Sequence, residues 1–527
     1  MKHFLLAFLV LCPGPATAAI TYPIAKPRLV VVLVIDQFRA DYLTRFADRF
    51  GNKGFKALIE RGAYYPLAEY QHLQCVTSSG HATIMSGSFP YQSGITTNEW
   101  IDPTTGQEVY CVDDAKDGIS PRLMRGTTVG DELKNAGYAA SKVVGIALKD
   151  RAAVLMAGHR ADLALWFSTK PFQWVSSSYY VGKNSLPDWV QNENKRNLPL
   201  KGTPYEWQGP AKTGTAAAPS FLHQATLGSR DAMAYPIGLE LTEALAEAAI
   251  TGMELGRDRV PDILAVSFSS HDYLGHKLGP NAREMEELTV EEDRLIEKLL
   301  TFIETQVPGG LKEVTVVLTG DHGAPPSSAW LTEAGKFDAG KIKQDDVVKL
   351  LETALTEKHG KPKLPAPGKA WIAGFSDFNF FLNPALFRDA GSARPRYQRA
   401  ELQATMKKVL LTIPGTARVV TGTEIEAGLY PPGLVGRQLA LSYFPGRSGD
   451  AILIPKPFYA KDDDYLVEHV TGYSYDRTVP LIIAGPGIRP GVYANKATIN
   501  DIAPTLSFLL GTVPPALNEG RVLSELF

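Results

Sequence analysis

Short, almost wholly apolar runs punctuate the chain, the clearest being Leu29–Ile35, Val143–Leu148, Ile263–Phe268, Val314–Leu318 and Leu481–Ala484. Such runs of β-branched and aliphatic residues, lacking polar alternation, read as strands buried on both faces, the mark of a parallel sheet. Between them apolar residues recur at three- and four-residue spacing, as over Leu239–Thr251 and Thr289–Thr305, which predicts amphipathic helices. Strands alternating with helices predict an α/β fold, a mostly parallel central sheet sandwiched by helices.

In such sheets ligands collect beyond the carboxyl ends of the strands. The residues just past each run are therefore informative. Asp36 comes after the first, Lys149 and Arg151 after the second, Asp272 and His276 after the third, and Asp321-His322 after the fourth. Two regions break the rhythm: residues 160–235, rich in Trp, Tyr, Ser, Lys and Gly, and residues 325–455, with Pro/Gly clusters at Lys363–Gly368 and Tyr430–Gly436. Both read as insertions capping the active-site face of one catalytic unit over residues 20–527. The acidic run Asp462–Asp464 reads as a solvated loop.

The first residues change the expected location. Lys2 and His3 precede an apolar run from Phe4 to Cys12, and Ala16-Thr17-Ala18 supplies small residues for cleavage. That run falls well short of the ~20 residues a spanning helix needs. Residues 1–19 therefore read as a signal peptide, and the mature chain as secreted or periplasmic, with no membrane attachment after cleavage. An oxidising compartment would permit Cys75 and Cys111 to pair, but nothing in the sequence brings them together.

Composition narrows the class. The 527 residues carry 54 Lys+Arg against 56 Asp+Glu, and 44% are hydrophobic and 21% charged, an ordinary globular balance. A net charge of −2 argues against nucleic acid as a specific partner and singles out neither another macromolecule nor an oligomeric state.

The chemistry-bearing residues are carboxylates and imidazoles. Asp272 and His276 stand four apart and, if the segment is helical, share one face. Asp36 closes the most apolar strand, where a lone carboxylate needs a partner. His469 precedes the last apolar run. Singly, each has a plain reading as a cap, turn or hydrogen-bonding residue; together, near strand ends, they form an N/O metal-ligand set that suits zinc. Between the first two strands lies Cys75-Val-Thr-Ser-Ser-Gly-His-Ala-Thr-Ile-Met-Ser-Gly. Thr77 is a weak nucleophile until a metal or base activates it, and Ser78, Ser79 and Cys75 rival it on composition. His81 is a rival ligand, better suited to a structural hydrogen bond. Arg151 offers a planar fork and Lys149 a point charge to phosphoryl oxygens, and Asn98 a further donor.

In order and spacing, Asp36, Thr77-x-x-Gly-His81, Asn98, Asp272-x-x-x-His276, Asp321-His322 and His469 resemble the alkaline phosphatase superfamily. Lys149-x-Arg151 narrows the resemblance to the bacterial threonine-nucleophile, phosphate-irrepressible alkaline phosphatases. The resemblance implies two zinc ions: one held by Asp272, His276 and His469, the other by Asp36, Asp321, His322 and the Thr77 oxygen. It implies attack by Thr77 through a phosphothreonine, with Asn98, Lys149 and Arg151 on the non-bridging oxygens and the Lys/Arg pair in place of a magnesium site. Structural calcium elsewhere stays open. The implied substrates are small phosphate monoesters. The alternatives are a phosphodiesterase or nucleotide pyrophosphatase on the same site, and a non-catalytic exported metal- or phosphate-binding protein. A sulfatase fits worse, because Cys75-Val-Thr-Ser-Ser lacks the Pro and Arg that its nucleophile motif requires.

Overall fold

The computed structural model describes residues 26–138, 140–210, 220–335, 338–362, 364, 370–387, 397–462 and 464–527. The signal peptide expected at residues 1–19, most of the Lys363–Gly368 cluster and Asp463 lie outside the described residues.

The centre is a nine-stranded sheet. In chain order its strands are β1 (Leu29–Ile35), β2 (Gly62–Glu69), β3 (Val143–Ala147), β4 (Leu163–Ser168), β5 (Gln173–Val175), β6 (Asp262–Phe268), β7 (Val314–Gly320), β8 (Thr478–Ala484) and β9 (Gly491–Val492). Across the sheet they run β9-β2-β8-β7-β1-β6-β3-β4-β5. β1 sits in the middle, parallel to β6 on one side and β7 on the other, and β3 and β4 continue the parallel run beyond β6. Ile35 pairs with both Phe268 and Gly320, so the chain leaves β1, β6 and β7 at one level.

The alternation of β1 divides the core. Leu29, Val31, Leu33 and Ile35 pack with the helices Pro236–Gly252 and Arg283–Gln306; Val30, Val32 and Val34 pack on the opposite side with Ile84, Met85 and the helix Ile502–Leu510. Every residue of β1 is buried, as a strand covered on both faces requires. The expected α/β sandwich is the observed fold.

Three details differ from the sequence reading. The run Leu481–Ala484 belongs to β8, which is antiparallel to both β7 and β2 rather than parallel. Burial on both faces gives an antiparallel strand the same continuous apolar run, so composition does not encode its direction. β2 was not anticipated, because Tyr64-Tyr65-Pro66 and a register shift between Tyr65 and Ala68 interrupt its pattern. Finally, β4 and β5 fall within residues 160–235 yet extend the central sheet, their apolar positions hidden among aromatic and polar neighbours.

Residues 325–455 build a second, four-stranded sheet, ordered Ile372–Ser376, Asn379–Leu382, Ala451–Pro455, Thr416–Thr421 and backed by the helices Gln344–His359 and Arg399–Leu410. Cys75 and Cys111 are both free thiols, buried in separate apolar clusters. No helix among the described residues is long and apolar enough to cross a membrane.

Candidate active site

The turns that leave the central strands converge at one sheet edge. β1 delivers Asp36; β6 delivers the helix Ser270–Leu278 with Asp272 and His276; β7 delivers Asp321 and His322. β3 runs into Lys149, which caps the helix Asp150–Ala157 carrying Arg151. His469 comes from the chain entering β8. Because β8 is antiparallel, its starting end lies at the edge where its neighbours finish, which brings His469 to the same place.

Thr77 is the first residue of the buried helix Thr77–Ser86. Its Oγ1 accepts from Lys149 Nζ at 3.2 Å and Arg151 Nη2 at 3.5 Å. The helix can press against the β7 turn because Gly80 has no side chain: a Cβ there would lie 2.3 Å from the Asp321 carbonyl oxygen. Asn98 Oδ1 accepts from the Ser78 amide at 3.2 Å, which commits its carbonyl oxygen and leaves its NH2 as the donor.

The three histidines are presented alike. Nδ1 of His276 donates to Val467 O at 2.7 Å, that of His469 to Cys75 O at 2.9 Å, and that of His322 to Gly323 O at 3.1 Å. Backbone carbonyls thus fix the tautomer and turn each Nε2 lone pair inward, as metal-ligating histidines require. Two of these acceptors, His276 Nε2 and His469 Nε2, face each other at 3.3 Å. His322 Nε2 is 3.3 Å from Asp321 Oδ2 and 3.5 Å from Asp36 Oδ1. The buried atoms Asp36 Oδ1, Asp321 Oδ2 and His322 Nε2 have no hydrogen-bond partner. Opposed lone pairs and orphaned carboxylate oxygens are costly unless a cation lies among them, so this donor set fits divalent metal.

Two ligand groups emerge: Asp272 with His322 and His469, and Asp36 with His81 and Asp321, each set having ligand atoms within 4.8 Å of one another. His322 therefore reaches towards both groups, whereas the resemblance assigned it to one. His276 Nε2 adjoins the first at 3.2 Å from Asp272 Oδ1. His81 has both nitrogens engaged, Nδ1 by Thr77 O and Nε2 by Ser267 Oγ, each at 2.8 Å, which agrees with a structural role.

Electrostatics follow from burial and charge. Burial, reinforced by Asp321, pushes the Asp36 carboxyl well above its usual range despite Lys149. Burial also acts to raise Asp272, but His276 and Lys149 outweigh it and hold that group well below its usual range. Burial drives His322 down to about 3 against the opposing pull of Asp321. Lys149 bridges two of the carboxylates, its Nζ 2.5 Å from Asp272 Oδ2 and 2.7 Å from Asp36 Oδ2. Despite burial, those charges keep its ammonium above the usual lysine range.

All seven expected ligands, with Asn98, Lys149 and Arg151, come together here. Sequence reasoning missed Gln37, whose amide donates to Asp321 Oδ1 and whose carboxamide donates to Asp272 Oδ1. It also missed Tyr110, whose hydroxyl accepts from Arg151 Nη1 at 3.2 Å and donates to Asp150. A polar residue after a strand-end Asp was the one signal for Gln37; Tyr110 left none. The site opens into a cleft of about 460 Å³, to which Arg230 and Asp231 contribute from one insertion and Asp377 from the other. A larger cleft of about 900 Å³, lined by Lys142, Asp162, Trp189 and Glu254, contains none of these residues.

A hydroxyl on a helix start, two cations and a cage of metal-ligand atoms at the carboxyl edge of an α/β sheet define an enzyme site built for an anionic ester. The comparisons agree. The model of the type I phosphodiesterase / nucleotide pyrophosphatase family matches residues 30–358. Alkaline phosphatase PafA of Elizabethkingia meningoseptica is 30% identical over 560 residues, covering 99% of this chain and 98% of the relative. Alkaline phosphatase PhoV of Synechococcus elongatus is 30% identical over 537 residues, covering 95% and 93%. The crystal structure of PafA superimposes with a TM-score of 0.84 at 29% identity, covering 95% of this chain and 99% of that one. The chain belongs to the type I phosphodiesterase / nucleotide pyrophosphatase family and, with these relatives, is an alkaline phosphatase of the alkaline phosphatase superfamily.

Proposed function

We propose that this enzyme hydrolyses small phosphate monoesters through a phosphothreonine on Thr77, in a site that holds two zinc ions. The observation that carries the reading is the Thr77 hydroxyl, reached by Lys149 and Arg151 in a cleft that Thr77 lines together with Asp272, His276 and His469. Asp272, His276 and His469 would hold one ion, and Asp36, Asp321, His322 and Thr77 Oγ1 the other. Bound there, zinc supplies Lewis acidity for the attacking and departing oxygens.

The chain's own residues do the rest. Thr77 Oγ1 attacks phosphorus in line; the new Oγ–P bond forms as the ester P–O bond breaks and the alcohol departs. Water then attacks the phosphothreonine, restoring the hydroxyl and releasing inorganic phosphate. Lys149, the Arg151 fork and the Asn98 NH2 bind the non-bridging oxygens, where charge must be held through the transition state. The helix start at Thr77 adds a favourable dipole for the bound anion. A monoester dianion gains more from two cations than a diester monoanion, which favours monoesters over the phosphodiester reading. The leader over residues 1–19 supports export to the periplasm or beyond.

The test is turnover of p-nitrophenyl phosphate with added Zn²⁺, alongside acid-quenched labelling with ³²P substrate. Thr77→Ala should lower kcat by roughly 1000-fold or more and abolish the labelled threonine. An active Thr77→Ala protein would refute the nucleophile. Zinc and phosphate binding without turnover in the intact enzyme would favour the non-catalytic alternative.

A further inference from the structure

Gln37 is buried and holds a left-handed backbone conformation, with φ of 66°. Only a few non-glycine residues adopt that region, and where they do the surrounding structure must hold them there. Here one residue donates in two directions. Its backbone N–H reaches Asp321 Oδ1 at 2.9 Å, and its carboxamide Nε2 reaches Asp272 Oδ1 at 3.0 Å. Asp321 and Asp272 belong to different ligand groups. Asp272 thereby has both oxygens fixed, Oδ1 by Gln37 and Oδ2 by Lys149.

The facing helix makes room for this contact. A Cβ on Gly275 would stand 1.9 Å from Gln37 Oε1, so any larger residue would push the carboxamide away. Gly275 lies between Asp272 and His276 in the helix Ser270–Leu278, where a glycine costs helix stability. A strained turn and a mid-helix glycine meet at one contact, and that contact ties the β1 turn and the β7 carboxylate to the helix carrying the other ligands.

We infer that Gln37, with the space provided by Gly275, is a positioning residue that fixes the separation and orientation of the two metal-binding halves of the site. The inference rests on the metal-site reading under the proposed function. A ligating carboxylate keeps lone pairs for the ion while accepting from such a neighbour, and these outer partners set how well the ligands are aimed.

The experiment titrates metal-free protein with zinc against a competing chelator, in the wild type, Gln37→Asn, Gly275→Ala and the double variant, with melting temperatures of the metal-free forms and steady-state kinetics. Asparagine tolerates the left-handed region but is one methylene too short to reach Asp272. Each single variant should lose roughly 10–100-fold in affinity for at least one zinc, with kcat falling more than KM changes. The double variant should be no worse than the more severe single one, because both remove the same contact. If Gln37→Asn fails to fold, Gly275→Ala carries the same expectation. Wild-type zinc affinity in folded variants, or losses that multiply in the double variant, would overturn this inference alone. A wild-type chain that binds no zinc would overturn the metal-site reading itself.

Discussion

Lys149 Nζ donates to Asp272 Oδ2 at 2.5 Å, in the direct neighbourhood of the Thr77 hydroxyl. The ammonium is buried, with 3% side-chain exposure, and is held there by two carboxylates. It therefore serves both the ligand cage and the place where a phosphoryl group would sit.

This double role predicts a substrate-dependent loss. Lys149→Ala combined with Arg151→Ala should lower kcat/KM on aryl phosphate monoesters by roughly 100-fold or more, as expected for removing donors to developing charge. The loss on bis-aryl diesters should be far smaller, because a diester presents less charge to the pair. Parallel kinetics on both substrates check this, and equal losses would defeat the monoester assignment.

The orphaned Oδ1 of Asp36, within a cage of ligand atoms, predicts how metal and stability are linked. Chelation should lower the melting temperature and zinc should restore it, by about 2.7 kcal/mol for each site held at a hundredfold excess over Kd. Asp36→Asn replaces a ligand carboxylate by a neutral amide, so the variant's gain from zinc should shrink. Scanning calorimetry with and without chelator measures both changes. An Asp36→Asn protein that gains as much from zinc as the wild type would contradict the account.

His72 is buried beside Tyr70 with neither ring nitrogen hydrogen-bonded, and burial drives it down to about 3. The unfolded chain takes up that proton near pH 6.5, so the stability linked to neutral His72 is fully present above 6.5 and drains away as pH falls towards 3. The limiting slope is about 1.4 kcal/mol per pH unit. His72→Phe keeps an aromatic ring and removes the titration. Urea unfolding between pH 7 and pH 4 should show wild type losing ground to the variant as the solution is acidified, and parallel pH profiles would exclude His72 as a source.

Cys75 and Cys111 are free and buried. A thiol titration of the mature chain should find both reactive after denaturation without reductant and neither readily reactive when folded. Added reductant should leave the melting temperature unchanged. A reductant-sensitive melting temperature would show that the two do pair.

The sequence by itself determined the α/β sandwich and most of the ligand set. Apolar strands such as Leu29–Ile35 announce themselves by composition, and a parallel sheet exposes the residue just past each strand, so Asp36, Asp272 and Asp321-His322 were legible as neighbours from the chain alone. Lys149 and Arg151 were legible in the same way, past the second strand, whereas Thr77 and Asn98 were singled out by the family resemblance, because Ser78, Ser79 and Cys75 rival Thr77 on composition. Tertiary structure alone decided the rest. The direction of β8, which brings His469 to the site, depends on pairing with β7 and β2 across long stretches of chain. The inward aim of Nε2 in His469 and His276 depends on the distant carbonyls of Cys75 and Val467, and the bridging of Asp321 to Asp272 by Gln37 depends on space left at Gly275. Residue type and spacing encode what a side chain can do; which atoms face each other is set by long-range packing, which no local pattern records.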